Sequence, residues 1–151
     1  MITLNIDGTS TEANRAIEIS LEDWIASSDA PPANAALTLP NDVDLLSIEK
    51  DVSAFGTIIL AFPKFTDGRA YSQARRLREQ LGFKSEIIAR GDLGRDQALF
   101  MARAGVTSFE LEEGAAEGFL QALSTFSVFY QPAADGVAPA WRLRAKRAIA
   151  A

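Results

Sequence analysis

Two short stretches of this 151-residue chain collect the side chains that could hold or act on an anion. One is residues 63–72 and the other is residues 90–97, and each places an Asp beside a Gly at a predicted helix start. Guanidinium, ammonium and free helix N–H groups are common ligands of oxyanions. We therefore predict an anion-binding rim, hereafter the rim. Its candidate residues are Lys64, Asp67, Arg69, Ser72, Arg90, Asp92, Arg95, Asp96 and Gln97.

The same residues also have a purely structural interpretation. Asp67 and Asp92 would cap their helices, and ion pairs of Arg69 with Asp96 and of Arg95 with Asp67 would close the rim. An Arg at a helix start opposes the helix dipole, so these cations need some partner, whether ligand or carboxylate. Asp92 and Asp96 share a helical spacing, but two carboxylates without a third ligand do not predict a metal site.

Several kinds of chemistry are excluded by missing residues. The chain has no Cys and no His, which removes thiolate chemistry, cysteine-bound clusters and the usual general base. It also lacks the glycine-rich dinucleotide and phosphate-loop motifs and the serine nucleophile elbow. We expect no cofactor.

Charge is unevenly distributed along the chain. The net charge is −5 and the isoelectric point is about 4.8, which argues against a nucleic-acid partner. Residues 1–55 carry −8, residues 56–110 carry +3 and residues 111–151 are neutral. The basic middle third is the place for an anionic ligand or an acidic partner surface, unless it is simply a solvated helix face.

Alternating apolar segments predict the elements that would position the rim. Strands are expected to start near residues 36, 57, 86 and 106, and helices follow at 41–52, 70–81, 93–104 and 116–130. Such βα repeats form a parallel sheet through right-handed crossovers. The pattern predicts an α/β fold, and it leaves open whether that fold is a (β/α) half-barrel or a small open sheet.

We expect one α/β domain over residues 1–130, followed by a loosely held basic tail at 131–151. Residues 1–34 form an N-terminal extension, with a strand at 2–6, a short return strand at 16–19 and a helix capped by Ser20, and residues 35–130 form four βα units. In the last helix, Phe119, Phe126 and Tyr130 recur at helical spacing, which is typical of core residues.

The N-terminus has no basic and apolar leader, and the longest apolar stretch, residues 57–63, is too short to span a bilayer. We therefore expect a cytoplasmic protein without a membrane partner.

One set of residues in the middle of the chain carries a family resemblance. It consists of Phe62 to Arg75, Leu77, Arg78, Leu81, Gly82, Gly91, Asp92, Arg95 to Gln97, Met101 to Arg103 and Gly105. Through these residues the stretch 56–112 resembles an uncharacterised bacterial family often labelled "oxidoreductase probably involved in sulfite reduction". The resemblance is looser at residues 21–24 and 129–131. Ala70 stands where this family often has Gly, and Gly94 where it usually has a larger aliphatic residue.

The resemblance implies a place in sulfur assimilation, beside an assimilatory sulfite reductase. Sulfite reduction usually uses haem and an iron–sulfur cluster, for which this chain has no ligands of the usual kind. We therefore expect an accessory protein that acts with a separate reductase and binds a small anion such as sulfite or sulfate. A small non-redox enzyme acting on an anionic substrate at the rim is the alternative. A half-barrel that merely forms a homodimer is a third interpretation.

Overall fold

Five parallel strands form the centre of the protein in a computed structural model, which describes residues 1–12 and 17–150, with only the backbone described for 147–150. The sheet has seven strands in the order β2-β1-β7-β6-β5-β4-β3. Strands β3 to β7 are parallel, and β1 joins β7 and β2 in antiparallel pairs. The strands are β1 (Ile2–Asn5), β2 (Ser10–Glu12), β3 (Ile17–Ser20), β4 (Ala35–Leu39), β5 (Thr57–Phe62), β6 (Glu86–Gly91) and β7 (Ser108–Leu111).

Helices follow most of the parallel strands. Four short 3-10 turns, at Leu45–Ser47, Val52–Ala54, Arg95–Gln97 and Glu113–Ala115, complete the regular structure of the described residues. The helices are α1 (Leu21–Ala26), α2 (Arg69–Glu79), α3 (Ala98–Ala104), α4 (Ala116–Leu123) and α5 (Ala140–Ala150).

The sheet is a curled half-barrel, which settles the choice that the sequence pattern left open. In a flat sheet of seven strands the edges would lie about 29 Å apart, at about 4.8 Å per strand. Only residues 13–16 separate the end of β2 from the start of β3, and such a link reaches at most about 18 Å. The covalent connection between the two edge strands therefore requires the curl.

The helices cover the convex face of the sheet and form the main core with it. Alternate residues of the central strands, such as Leu37, Ile58 and Ile87, are fully buried there. On the helix side Ala74, Leu77 and Met101 are fully buried in the same cluster. The concave face has only a small second cluster, of Ala36, Ile59 and Ile88. Apolar burial thus lies mostly between the sheet and its helices.

Several predicted boundaries are confirmed. Ser20 caps α1, since its hydroxyl oxygen accepts the N–H of Asp23 at 3.1 Å. Gly105 ends α3 at a φ of 114°, in the left-handed region that favours glycine. The four βα strands begin within two residues of their predicted starts. Across residues 1–12 and 17–150 we find no helix with the length and apolar character that crossing a bilayer requires.

The strand predicted at 16–19 exists as β3 (Ile17–Ser20), but it does not return to β1 as expected. The partner of β1 on its outer side is β2 (Ser10–Glu12), whereas β3 crosses to the other edge and pairs with β4. Ala16, part of the predicted strand, lies outside the described residues.

The helix predicted over 41–52 is also wrong, because this crossover consists of the 3-10 turns Leu45–Ser47 and Val52–Ala54. Asp44 accepts the N–H of Leu46 at 3.2 Å, and Asp51 accepts that of Ser53 at 2.9 Å. These carboxylates start two separate turns, since a short polar side chain competes with helix hydrogen bonding.

The last predicted helix ends early, at Leu123. The hydroxyls of Ser124 and Thr125 both donate to the Gln121 carbonyl oxygen, at 3.0 and 3.2 Å. These side chains replace the backbone N–H that a continuing helix would supply to this carbonyl. Residues 126–130 consequently leave the helix axis and lie on the surface.

Candidate functional site

The two polar loops meet at the carboxyl ends of β5 and β6, as predicted, because Phe62 of β5 pairs with Gly91 of β6. Residues 63–68 continue from β5, and residues 92–97 continue from β6. All candidates except Arg90 and Ser72 lie on these loops or at the starts of the following helices. Arg90 lies in β6 itself, and Ser72 faces a groove on the outer side of α2.

Phe65 is the point at which the two loops are joined. Its backbone N–H donates to the Asp92 carboxylate at 3.0 Å, and its carbonyl oxygen accepts the Gln97 side-chain amide at 2.9 Å. The Gln97 side chain also accepts the N–H of Gly94 at 3.4 Å. The prediction that Asp92 caps a helix is therefore wrong: its carboxylate joins the two neighbouring loops, as the Gln97 side chain does.

Two glycines permit this close approach of the loops. A Cβ at Gly91, whose φ is 126°, would lie 2.2 Å from the carbonyl oxygen of Phe62. A Cβ at Gly94 would lie 2.3 Å from the ring of Phe65. Any residue with a Cβ at position 94 would thus displace the Phe65 ring.

Asp67 and Arg69 bond to each other. The Asp67 carboxylate accepts the Arg69 Nε and Nη2 groups at 3.0 and 2.7 Å, as well as the Arg69 backbone N–H at 3.2 Å. These hydrogen bonds from Arg69 hold the pKa of Asp67 well below its usual value. The predicted pairs of Arg69 with Asp96 and of Arg95 with Asp67 are therefore wrong, because the nearer residue of the same turn takes the carboxylate.

Arg90 points to the concave face and joins three strands. It forms hydrogen bonds of 2.7 and 2.6 Å with the two carboxylate oxygens of Glu18 on β3, and it also bonds both oxygens of Glu110 on β7. The Glu110 side chain is 3% exposed. The hydrogen bonds to Glu18 raise the pKa of Arg90 most, and those to Glu110 raise it further. Its charge is thus balanced by two carboxylates of the chain itself, the buried Glu110 and the exposed Glu18.

A cavity of about 610 Å³ lies at the ends of β6 and β7. Its charged side chains are those of Arg90, Asp92, Glu110 and Glu112, and Met1 lies beside them. Three carboxylates facing one guanidinium make this cavity unfavourable for an anion.

Lys64 and Arg95 are the rim cations that make no ion pair with any residue in the described part of the chain. Both are exposed, and the Arg95 stem lies against Gly118 of α4, 3.5 Å from where a Cβ would be. Asp96 is exposed as well. The rim therefore presents two free cations, while its other charged groups are mostly bonded internally.

A second, larger concavity lies between α2, α3 and residues 126–134, and we call it the groove. Its volume is about 680 Å³. Several large apolar side chains border it in solvent: Phe100 is 68% exposed, Phe126 is 61% and Tyr130 is 75%. Phe119 is buried as predicted, but Phe126 and Tyr130, predicted to be core residues, are on the surface because α4 ends at Leu123.

Arg103 of α3 holds one wall of the groove in place. Its guanidinium stacks on the Phe129 ring at 3.8 Å from the ring centroid. It also forms hydrogen bonds with Asp135 at 2.8 Å and with the carbonyl oxygen of Gln131 at 2.5 Å. The Arg103 side chain is 13% exposed. This single side chain fixes the segment that carries Tyr130.

Sequence reasoning missed the groove because an aromatic repeat is more often core than surface. The available signal was Ser124-Thr125, two hydroxyl residues that favour a helix end, followed by Pro132 and Gly136. Among the described residues no group of three or more Asp or Glu residues is arranged to hold a metal ion.

Comparison with known proteins gives one match. Residues 36–141 match the sequence model of a family described as "Bacterial protein of unknown function (DUF934)". No curated protein and no solved structure matches the chain.

Proposed function

The chain belongs to this bacterial family of unknown function, and from that premise we propose that it is an accessory protein of assimilatory sulfite reduction. In this proposal it works in the cytoplasm, by binding a separate sulfite reductase. The resemblance described above supplies the sulfur context. The absence of Cys and His from the sequence supports a role beside the redox centre instead of one that carries it.

The observation that carries a binding role is the groove. Exposed aromatic side chains around a concavity are typical of interaction sites. At the strand ends, where parallel α/β proteins usually place their chemistry, most charged groups are instead bonded to the protein itself. This contrast supports binding ahead of catalysis.

The experiment is deletion of the gene in its own host. We expect impaired growth with sulfate or sulfite as the sulfur source and normal growth with sulfide or cysteine, because sulfide is the product of the step concerned. Accumulated sulfite in the medium would locate the block at the reductase. Unimpaired growth on sulfate would contradict the proposal, and a defect that sulfide does not relieve would place the protein at another step.

A small oxyanion such as sulfite is part of the proposal, with Lys64 and Arg95 as its ligands because they are the rim cations without an internal partner. Thermal melts with and without sulfite or sulfate test this part. We expect an anion-dependent rise in the melting temperature that Lys64→Ala and Arg95→Ala each reduce. Lys84→Ala, at an exposed cation elsewhere, is the matched control. A rise that both rim variants retain would exclude this site.

The second candidate function is a small non-redox enzyme that acts on an anionic substrate at the strand ends. The buried Glu110 carboxylate beside Arg90 in the 610 Å³ cavity is the observation in its favour. The surplus of carboxylates in that cavity places this candidate second. Calorimetric titration with sulfite and phosphate tests it, and binding that Glu112→Gln strengthens would support it, because this change removes a repelling charge.

A further inference from the structure

We propose that the groove is the docking site for an acidic segment of a separate protein, one that carries large apolar side chains between its carboxylates. This inference rests on the proposed function and names the part of the partner that the groove would take.

The apolar part of the argument is the exposure of the groove's border. Phe100, Phe126, Val128 and Tyr130 each expose more than half of their surface to solvent. Large apolar side chains gathered around a concavity leave unfavourable surface in water, which a partner's apolar side chains would cover. Such exposure suits a macromolecular segment better than a small ligand, which would be enclosed more deeply.

The groove is also held in shape before any partner arrives. Arg103 fixes the Phe129 and Gln131 wall through the contacts described above, and the Ala134 N–H donates to the Arg103 carbonyl oxygen at 3.1 Å. On the opposite wall the Tyr71 ring packs edge-on against Phe62 of β5 at 5.4 Å. A preformed site loses less conformational entropy on binding.

Charge specifies the acidic character of the partner. The groove lining contains Arg75 and Arg103 and no acidic residue, but Arg75 is paired with Glu79 and Arg103 with Asp135, so the charge that remains for a partner comes from the neighbouring helix α5. Helix α5 begins beside it, where the Ala140 N–H donates to the Phe129 carbonyl oxygen at 2.7 Å. This helix adds Arg142, Arg144 and Lys146 and contains no acid. A basic surface on a chain of net charge −5 attracts an acidic partner by electrostatic complementarity.

Two other occupants fit these observations less well. In a symmetric dimer the groove and the start of α5 would meet their own copies, which would bring the bases of α5 close to like charges. An anionic bilayer would attract the bases of α5, but a flat surface cannot fill a concavity of 680 Å³.

The first experiment measures binding to a peptide array that combines Glu, Lys or Ser with Phe, Leu or Ala at alternating positions. We expect the strongest signal for Glu with Phe or Leu, with weaker binding as salt is raised. Phe126→Ser and Tyr130→Ser should each weaken it about tenfold, as is usual for an aromatic anchor. Leu46→Ser, at an apolar side chain of similar exposure elsewhere, should leave it unchanged. All three positions are exposed, and circular dichroism melts verify the fold.

Equal binding of the Lys peptides, or binding that Phe126→Ser and Tyr130→Ser do not change, would overturn the inference. Self-association that Phe126→Ser abolishes, measured by analytical ultracentrifugation, would also overturn the inference and would identify a second copy of the chain as the occupant. Binding to anionic phospholipid vesicles that Phe126→Ser abolishes would overturn it as well and would identify a membrane surface as the occupant.

A second experiment separates this inference from the proposed function, with the purified sulfite reductase of the same host as the probe. Reductase binding that the best array peptide competes away supports both. If the reductase does not bind although the peptide still binds the groove, the proposed function fails and the groove assignment stands. If the reductase binds with unchanged affinity to Phe126→Ser and Tyr130→Ser, the proposed function stands and the groove assignment fails.

Discussion

At the ends of β5 and β6 polar side chains bond to the protein itself, whereas around the groove large apolar side chains face solvent. Asp92, Gln97 and Arg69 have partners within the two loops, and Phe126 and Tyr130 are mostly exposed. A polar cluster is a binding site only to the extent that its hydrogen-bonding capacity remains unused. The exposed apolar residues of the groove are therefore better candidates for a binding site than the charged residues at the strand ends.

The largest loss of stability is expected from a substitution at the ends of β5 and β6. Gly91→Ala adds a Cβ that would lie 2.2 Å from the Phe62 carbonyl oxygen, at a φ of 126°. We expect the free energy of unfolding to fall by about 3–5 kcal/mol, from combined backbone strain and overpacking. Urea denaturation measures it. Gly56→Ala, where no atom lies within 4 Å of the new Cβ, is the control, and a similar loss in both variants would contradict the close approach.

The next effect acts on the groove. Arg103→Ala removes the stacking on Phe129 and leaves the Asp135 carboxylate, which is 16% exposed, without its partner. We expect a loss of about 2–4 kcal/mol in unfolding free energy and faster proteolysis within residues 126–137. Arg75→Ala is the matched control, because this side chain is 62% exposed and forms an i,i+4 pair worth about 0.5 kcal/mol or less. Unchanged proteolysis in Arg103→Ala would show that the wall is held by other contacts.

A smaller effect tests the link between the two loops. Gln97→Ala removes the hydrogen bonds to the Phe65 carbonyl oxygen and the Gly94 N–H, so we expect a loss of about 1 kcal/mol in thermal melts. Gln121→Ala on α4 should change stability by less, since its side chain makes one exposed contact of 3.4 Å. If Gln97→Ala also improves sulfite binding, the link restricts access to the rim cations.

The smallest effect concerns Asp67, whose pKa is lowered by hydrogen bonds from Arg69. A carboxyl whose pKa is lower in the folded than in the unfolded protein adds stability at every pH above 3.8, its ordinary pKa. This contribution declines as the pH falls from 3.8 towards the lower pKa of the folded state. The melting temperature of Asp67→Asn should therefore lie slightly below that of the parent at pH 7 and converge with it below pH 3.8. A constant difference down to pH 2 would show that the carboxylate charge is not responsible.

Local signals predicted much of the fold. The apolar run of β5, the Ser20 cap and Gly105 each act within a few residues, so their outcomes follow from the sequence. The helix predicted over 41–52 was wrong because the apolar spacing of Leu45, Ile48 and Val52 also fits two separate turns. At that place the side chains of Asp44 and Asp51 decide the conformation.

The candidate site was less predictable, for a physical reason. The bonds from Asp92 and Gln97 to Phe65 join residues 27 and 32 positions apart, and they use backbone groups that carry no sequence signature. The sequence shows which side chains can donate or accept, but not which partner each will have. Likewise, whether Tyr130 is core or surface depends on where α4 ends.

The pairing of β1 with β7 has a consequence for synthesis on the ribosome. The Ser108 hydroxyl donates to Asn5 at 2.7 Å, across 103 positions of sequence. During synthesis β1 therefore cannot pair with β7 until β7 has emerged. Closing so long a loop slows folding. Residues 36–141, which the family model matches, contain most of β4 and all of β5 to β7 but neither β3, which borders β4, nor β1, which borders β7. Produced alone, that stretch would present two open sheet edges prone to aggregation.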